Sequence, residues 1–461
     1  MTQTPLLSRR LASFAARVRL ADIPDEVRTR GKLLMLDAIG NAFASARYPF
    51  ATAALSAMQD LGSGDATVIG MPATLALRDA VTMNGILVHG LDYDDTYLPG
   101  SVHLTASTVP VALALGEQAG ADGRTLLTAC ILGLETGARL SGAARGGLVK
   151  AGFHATGVVG AFAASIAAGR MMALDEAGLV MAQGIALSCA SGTLQPMQEG
   201  AWTKRFHPGW SGAGGITAAA LARRGFVGPE HAYEGQFGFY PSFLAQHASA
   251  ADLEFAGAQL GERWEFARTS VKLYPACHQT HAFMNAAIAL AREHRIDASQ
   301  VESVTTLVAE PSIPLVCEPL AIKLAPTSSY AAQFSLPYGI ACSLARGRFG
   351  LDEIEEAAYT DPSLLALAQR VHYEIDPNPG FPKFRSGEVI VKLRSGQTLS
   401  RRENILPDEP APASAISEKF LRNAAHAVSA ARADSIMNMV MELERLEAVN
   451  ALTRLLRGDA A

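Results

Sequence analysis

Asp122-Gly123-Arg124-Thr125-Leu126-Leu127-Thr128-Ala129-Cys130-Ile131-Leu132-Gly133-Leu134 opens on a helix start signal, Asp122-Gly123. It then sets apolar side chains at 126, 127, 130, 131 and 134. That spacing follows the 3.6-residue period, so the stretch reads as an amphipathic helix with one face turned to a core. Working outward, the same pattern fits 26–44, 75–91, 104–119, 156–172 and 176–190. Most of these runs are rich in Ala and Gly, which lets helices approach closely. The chain therefore reads as a helical body from its start to about residue 265.

Beyond about 268 the pattern changes. Val301, Val304, Thr306 and Val308 lie in a β-branched run that predicts a strand. Val389 to Leu393, then Ser395-Gly396, then Gln397-Thr398-Leu399 predicts a hairpin. A small-residue helix is expected between them, at about 327–345. The stretch Leu406–Pro412 is rich in proline and acid and reads as a linker, and 417–457 returns to helix. The fold class expected is mainly α: an all-helical domain made of 1–267 together with 405–461, carrying an inserted α+β lid at 268–404. No internal repeat or low-complexity tract is visible.

Composition narrows the function classes. The 461 residues are 49% hydrophobic and 18% charged, enough for a large core and wrong for a disordered chain. The formal net charge is −5, with Lys and Arg scattered, which argues against nucleic acid or an anionic membrane as partner. An acidic substrate would need a local cluster of cations. The five cysteines (Cys130, Cys189, Cys277, Cys317, Cys342) are odd in number and form no CxxC pair, so a reducing, cytoplasmic compartment is expected. Arg9, Arg10, Arg17 and Arg19 interleave with Leu11, Phe14, Ala15 and Val18. A transit peptide has that look, but an amphipathic first helix is the simpler reading. The most apolar stretch, Gly157–Gly169, is too short to span a bilayer.

Four clusters carry possible chemistry. The first is His89-Gly90-Leu91-Asp92-Tyr93-Asp94-Asp95-Thr96, followed by His103. Three carboxylates so close together must be solvated, paired or bound to something. A solvated helix end is the plain alternative. Asp92–Asp95 also spells the DxDD of protonating terpene cyclases, but 7% aromatics are too few for a carbocation cavity. The second is Gly152-Phe153-His154-Ala155-Thr156-Gly157, where a histidine before an apolar helix suits either anion binding or helix capping.

The third runs from Glu199 to Trp210 and holds Lys204, Arg205, His207 and two of the three tryptophans. Its Gly209-Trp210-Ser211-Gly212-Ala213 nearly matches a nucleophile elbow but lacks the last glycine and a preceding strand. The fourth is Lys272-Leu273-Tyr274-Pro275-Ala276-Cys277-His278-Gln279-Thr280-His281. Cys277, His278 and His281 invite a zinc assignment. No second set of ligands at the right spacing supports it, and no metal or other cofactor is expected.

In order and spacing these blocks resemble the MmgE/PrpD family, which includes 2-methylcitrate dehydratase, cis-aconitate decarboxylase and iminodisuccinate epimerase. The resemblance begins at Ile23–Val27 and Leu36–Gly40. It runs through Ala66–Gly70, Asp92–Thr96, Gly152–Gly157, Thr203–Gly209 and Lys272–His281, and ends at Phe334–Tyr338. It implies a helical domain with a smaller lid, a homodimer, and a small di- or tricarboxylate substrate. It places Asp92, Thr96 and His103 in the pocket, adds His154 and Lys204, and has the lid contribute Lys272, Tyr338 and either His278 or His281, with His278 preferred. The loop Tyr97–Val102 is longer than the decarboxylases have, so dehydratase, decarboxylase and epimerase all stay open.

Removing or delivering a proton next to a carboxylate stacks charge on charge. Such a site needs a positioned proton carrier and cations over the carboxylate oxygens. The expected catalytic set is His103, Lys204, Asp92, Lys272, His278 and Tyr338, with Thr96, His154, Arg205 and His281 binding substrate. A metal-independent lyase is the leading reading, a dicarboxylate epimerase the near alternative, and a non-catalytic acid-binding protein the distant one.

Overall fold

The helix that starts at Asp122 forms over Gly123–Ala143, and the Asp122 carboxylate accepts the N–H of Thr125 at 2.8 Å as its N-cap. Around it the computed structural model, which describes residues 5–381, 383–406 and 409–458, builds two compact units. One comprises the chain up to Val271 together with the residues from Pro410 on; the other is Lys272–Glu409.

The first unit is a bundle of helices: Asp25–Ser45, Leu77–His89, Thr105–Ala119, Gly123–Ala143, Ala155–Met171, Glu176–Ala186 and Thr203–Arg223. Its small residues work as expected. Leu77–His89 and Thr203–Arg223 cross at Gly85 and Gly209. A Cβ on Gly85 would stand 2.4 Å from Gly209 Cα, and one on Gly209 would stand 2.1 Å from the Thr82 carbonyl oxygen. Only glycine allows that approach, and it brings the start of one helix beside the end of the other. The first helix, Leu7–Arg17, buries Leu7, Leu11, Ala12 and Ala15 on one face.

One expectation needs correction here, and two further readings gain detail. The body is not purely helical, because Ala66-Thr67 and Thr74-Leu75 pair as a short antiparallel ladder. The Gly209-Trp210-Ser211 match lies inside a helix, with the Ser211 hydroxyl donating to the Pro208 carbonyl, so no nucleophile elbow exists. The C-terminal return is three helices, Ala413–Ala424, Ala430–Met441 and Asn450–Leu456, broken at capping residues such as Ser429. Of the linker at Leu406–Pro412, Pro407 and Asp408 lie outside the described residues. Ala413–Ala424 packs on Asp25–Ser45 through Phe43 and Phe420 and a buried Asp37–Lys419 ion pair at 2.6 Å.

The second unit holds a four-stranded sheet in the order Val371–Ile375, Val301–Val308, Arg385–Leu393, Thr398–Ile405. The first pair is parallel and the other two antiparallel, with Gly396 at φ 88 turning the hairpin. Val301, Val304, Val308, Val389 and Val391 form one apolar face and pack with Phe283, Leu290, Ile340 and Leu344 from two helices. The helix expected at 327–345 is divided into Ser329–Gln333 and Leu336–Arg346. Ser335 causes the break: its hydroxyl accepts the Tyr338 N–H at 3.1 Å, and Pro337 occupies the first turn.

No described helix is long and apolar enough to cross a membrane. All five cysteines are free thiols.

Candidate active site

The helix Leu77–His89 ends at His89, and the chain turns sharply at Asp92, whose φ of 49° is left-handed. Aspartate tolerates that region better than most side chains. The turn sends the three carboxylates in different directions. Asp95 points to the start of Thr105–Ala119, where it accepts the N–H of Leu104 at 2.9 Å, the N–H of Thr105 at 3.1 Å and the Thr105 hydroxyl. Burial, and then the neighbouring Asp94, push the Asp95 carboxyl up to about 7 against the pull of those donors. Asp94 meets His89 Nδ1 at 2.8 Å and lies 3.4 Å from His103 Nδ1. Asp92 meets the Lys204 ammonium at 3.0 Å and lies 3.9 Å from His103 Nε2.

His103 is the centre of this arrangement. Its Nδ1 is 2.7 Å from the Asp95 carbonyl oxygen, which can only accept, so Nδ1 carries a proton. In the neutral ring the lone pair is then on Nε2, the nitrogen nearer Asp92 and Lys204. The Thr96 hydroxyl is 3.5 Å from Nδ1, and Thr96 itself is held by a two-way backbone bridge to Ser270. The backbone N–H of His103 donates to the Thr156 hydroxyl at 3.1 Å, tying it to the segment that carries His154.

His154 precedes Ala155–Met171, and its Nδ1 is 3.0 Å from Nδ1 of His207. One ring must donate and the other accept, so at least one of the two is neutral. Burial first, then the Lys204 ammonium, holds His154 well below the usual imidazole range and takes His207 down to about 4. His154 Nε2 is buried without a hydrogen-bond partner among the described residues. The His89 ring lies 4.6 Å from that of His103 and 5.4 Å from that of His154, centre to centre.

The first unit thus brings together Asp92, Thr96, His103, His154 and Lys204. Arg205 departs from expectation. Its Nε donates to the Gly90 carbonyl at 2.5 Å and its guanidinium lies 4.7 Å over the Phe50 ring, so it braces the end of Leu77–His89. Four neighbours lay in the sequence clusters but were given no role there: His89, Asp94, Asp95 and His207. His207 had a signal, since it follows Lys204 by three residues and so shares a helix face with it.

The second unit carries the remaining candidates. Lys272 is buried. His281 Nε2 lies 3.2 Å from the Ala276 carbonyl oxygen, and the His278 and His281 rings meet edge to face at 4.7 Å. Tyr338 is fully buried and its hydroxyl donates to the Glu353 carbonyl at 2.6 Å, with burial raising its pKa far above the phenol range. That bond must break before Tyr338 can act as an acid.

Ring nitrogens of His89, His103 and His154 come within 4.8 Å of one another, as do ligand atoms of His89, Asp92, Asp94 and His103. These donors suit a divalent cation in kind. Against it, the Lys204 ammonium already sits on Asp92, and a second cation there meets like charge.

Residues 9–251 match the model of the MmgE/PrpD N-terminal domain and residues 274–445 that of the MmgE/PrpD C-terminal domain. The chain belongs to the MmgE/PrpD family. Similar proteins include the cis-aconitate decarboxylase of Homo sapiens, 28% identical over 470 residues, covering 97% of this chain and 94% of the relative. The cis-aconitate decarboxylase of Aspergillus terreus is 26% identical over 476 residues, covering 97% and 95%. A cis-aconitate decarboxylase-like protein of Aspergillus oryzae is 25% identical over 472 residues, covering 97% of each. Membership in MmgE/PrpD spans both units, and every residue of the acid–histidine cluster lies within the N-terminal match.

Proposed function

We propose that this MmgE/PrpD chain is a lyase that decarboxylates a small tricarboxylate of the cis-aconitate type, without a metal, by delivering a proton next to a carboxylate. One observation carries the reading: Lys204 Nζ and His103 Nε2 flank the same oxygen of Asp92, at 3.0 and 3.9 Å. A cation and a proton carrier are held side by side. Among the described residues Lys204 makes no other hydrogen bond, so its remaining N–H groups suit a substrate carboxylate.

The bond between a CH2 and its carboxylate breaks and releases carbon dioxide. Its electron pair forms a new terminal alkene, and the former alkene pair takes a proton at the carbon beside the second carboxylate. His103 supplies that proton from Nε2 as an imidazolium, which Asp94 and Asp92 stabilise on its two sides. Lys204 holds the carboxylate that accumulates charge in the transition state. His154, neutral, donates Nε2–H to another carboxylate when its Nδ1 accepts from His207. The protein's own cations thus replace a metal ion.

The family resemblance assigns Lys272, His278 and Tyr338 to the same reaction, with Thr96, Arg205 and His281 as substrate contacts. Of these, Arg205 and Tyr338 have the weakest support, given their backbone partners. The reading also includes a homodimer of two such chains.

A dicarboxylate epimerase is the second reading. It is favoured by the proximity of the His89, His103 and His154 rings, since a second imidazole can return a proton to the opposite face. The test mixes EDTA-treated protein with cis-aconitate, 2-methylcitrate and iminodisuccinate and follows carbon dioxide, alkene absorbance and optical rotation. Carbon dioxide release from cis-aconitate, lost by a factor on the order of 10³ in His103→Ala, is the expected result. Rotation change alone supports the epimerase, and binding without turnover an acid-binding protein. Activity abolished by EDTA and restored by zinc overturns the metal-free claim.

A further inference from the structure

Tyr93 sits between Asp92 and Asp94, and its carbonyl oxygen is held from outside the cluster. Lys419, on the C-terminal helix Ala413–Ala424, donates to it at 2.6 Å and places its ammonium 3.8 Å from the centre of the Tyr93 ring. The same ammonium pairs with Asp37 at 2.6 Å. Asn41 donates to the Tyr93 carbonyl at 3.4 Å and to Asp37 at 3.1 Å, and its own side-chain oxygen accepts from Asn423 at 3.2 Å. Lys419, Asp37 and Asn41 are all fully buried or nearly so.

A buried lysine–aspartate pair is a poor way to join two helices, because desolvation cancels most of its attraction and apolar residues would serve as well. What such a pair does supply is direction. Here it is aimed at a single peptide, the one that joins Tyr93 to Asp94 directly after the left-handed turn at Asp92. Asp92 already holds a left-handed φ that a free chain would relax.

We propose that Lys419 is a positioning residue: with Asp37 and Asn41 it clamps the Tyr93 peptide and thereby fixes the aim of Asp92 on Lys204 and of Asp94 on His89 and His103. The first helix of the C-terminal return is thus part of how the site works. The inference rests on the catalytic reading of this cluster, and its test is built to fail separately from that reading.

Two paired substitutions carry the test. Asp37→Leu with Lys419→Met removes both charges and the donor while keeping the volume apolar. Asp37→Asn with Lys419→Gln removes the charges but keeps a donor for the Tyr93 carbonyl. The apolar pair should lower kcat on cis-aconitate by a factor on the order of 100, with little change in KM, and should shift the pH profile. The polar pair should restore most of the turnover.

The imidazole resonances of His103, followed by NMR in protein labelled at histidine, should move in the apolar pair and return in the polar one. That readout needs no turnover. If wild-type protein converts none of the acids, the catalytic reading falls while the His103 spectrum still reports the clamp. If His103→Ala abolishes turnover but the apolar pair keeps wild-type kcat and His103 resonances, this inference falls alone. Equal losses of turnover and melting temperature in both pairs would also overturn it, by making the role merely structural. Should the apolar pair not fold, Asn41→Ala must shift the same His103 resonances, and unshifted ones overturn the clamp.

Discussion

Two buried or nearly buried ion pairs of the helical unit look alike in a list of distances and differ in everything else. Arg139 meets Glu135 at 2.5 Å with both side chains at most 2% exposed. The Arg139 guanidinium also donates to the carbonyls of Ala258 and Arg263 at 2.6 and 2.5 Å. Glu135 accepts the N–H groups of Glu265 and Phe266 at 3.2 and 3.0 Å. Backbone takes up the pair on both sides, and the result is a rivet between Gly123–Ala143 and the segment around 255–266. Lys204 and Asp92 meet at 3.0 Å but keep 12% and 14% exposure, and a histidine nitrogen stands 3.9 Å from the same carboxylate oxygen. A pair saturated by backbone has nothing left to offer a ligand. A pair with some solvent exposure and an imidazole beside it can exchange partners.

The sharpest way to break that distinction is to remove one member of each pair. Arg139→Met strands a buried carboxylate and should cost about 3–5 kcal/mol of stability, read as a fall in the urea midpoint. Turnover per folded molecule should match wild type. Lys204→Ala should do the reverse, lowering kcat/KM by about 10²- to 10³-fold while shifting the urea midpoint less than Arg139→Met does. If Lys204→Ala instead unfolds the protein and spares turnover of what remains folded, the two pairs are the same kind of object and the catalytic role of Lys204 is lost.

What the sequence could show of the Lys204–Asp92 pair follows from range. Lys204 and the Asp92 block each stand out locally, by charge density beside glycine and tryptophan. Their meeting depends on the Gly85–Gly209 crossing, which no local pattern encodes, and the same holds for His89 and His207. Arg205 is a related case. It is adjacent to Lys204 in sequence, but one residue along a helix is over a quarter of a turn, so its guanidinium faces Gly90 and Phe50 instead.

In the fold, long apolar periods such as 123–143 were legible. The short parallel strand Val371–Ile375 was not, because its His372 and Glu374 break the apolar run and its partner lies some 70 residues away, as with Val304 and Val371. The break at Ser335 was hidden because Ser, Leu and Pro can sit either in a helix start or just before one.

The smallest expected effect concerns the paired imidazoles of His154 and His207. His207 has a folded pKa of about 4 against an ordinary 6.5, and His154 is lowered in the same sense. Between those values the unfolded chain binds a proton that the folded chain refuses, so each contributes stability above about pH 6.5 that is lost as pH falls through its folded pKa. Asp95 runs the other way: with its pKa raised to about 7, its contribution is full at low pH and is lost as pH rises through 7. The two trends overlap, so the wild-type curve alone cannot separate them. His207→Asn removes one histidine and leaves Asp95 in place. Urea midpoints measured from about pH 6.5 down to about pH 4 should therefore fall less steeply in the variant than in wild type. An equal fall in both would mean that the fold does not lower the His207 pKa and that the His154–His207 bond takes up a proton as pH falls toward 4.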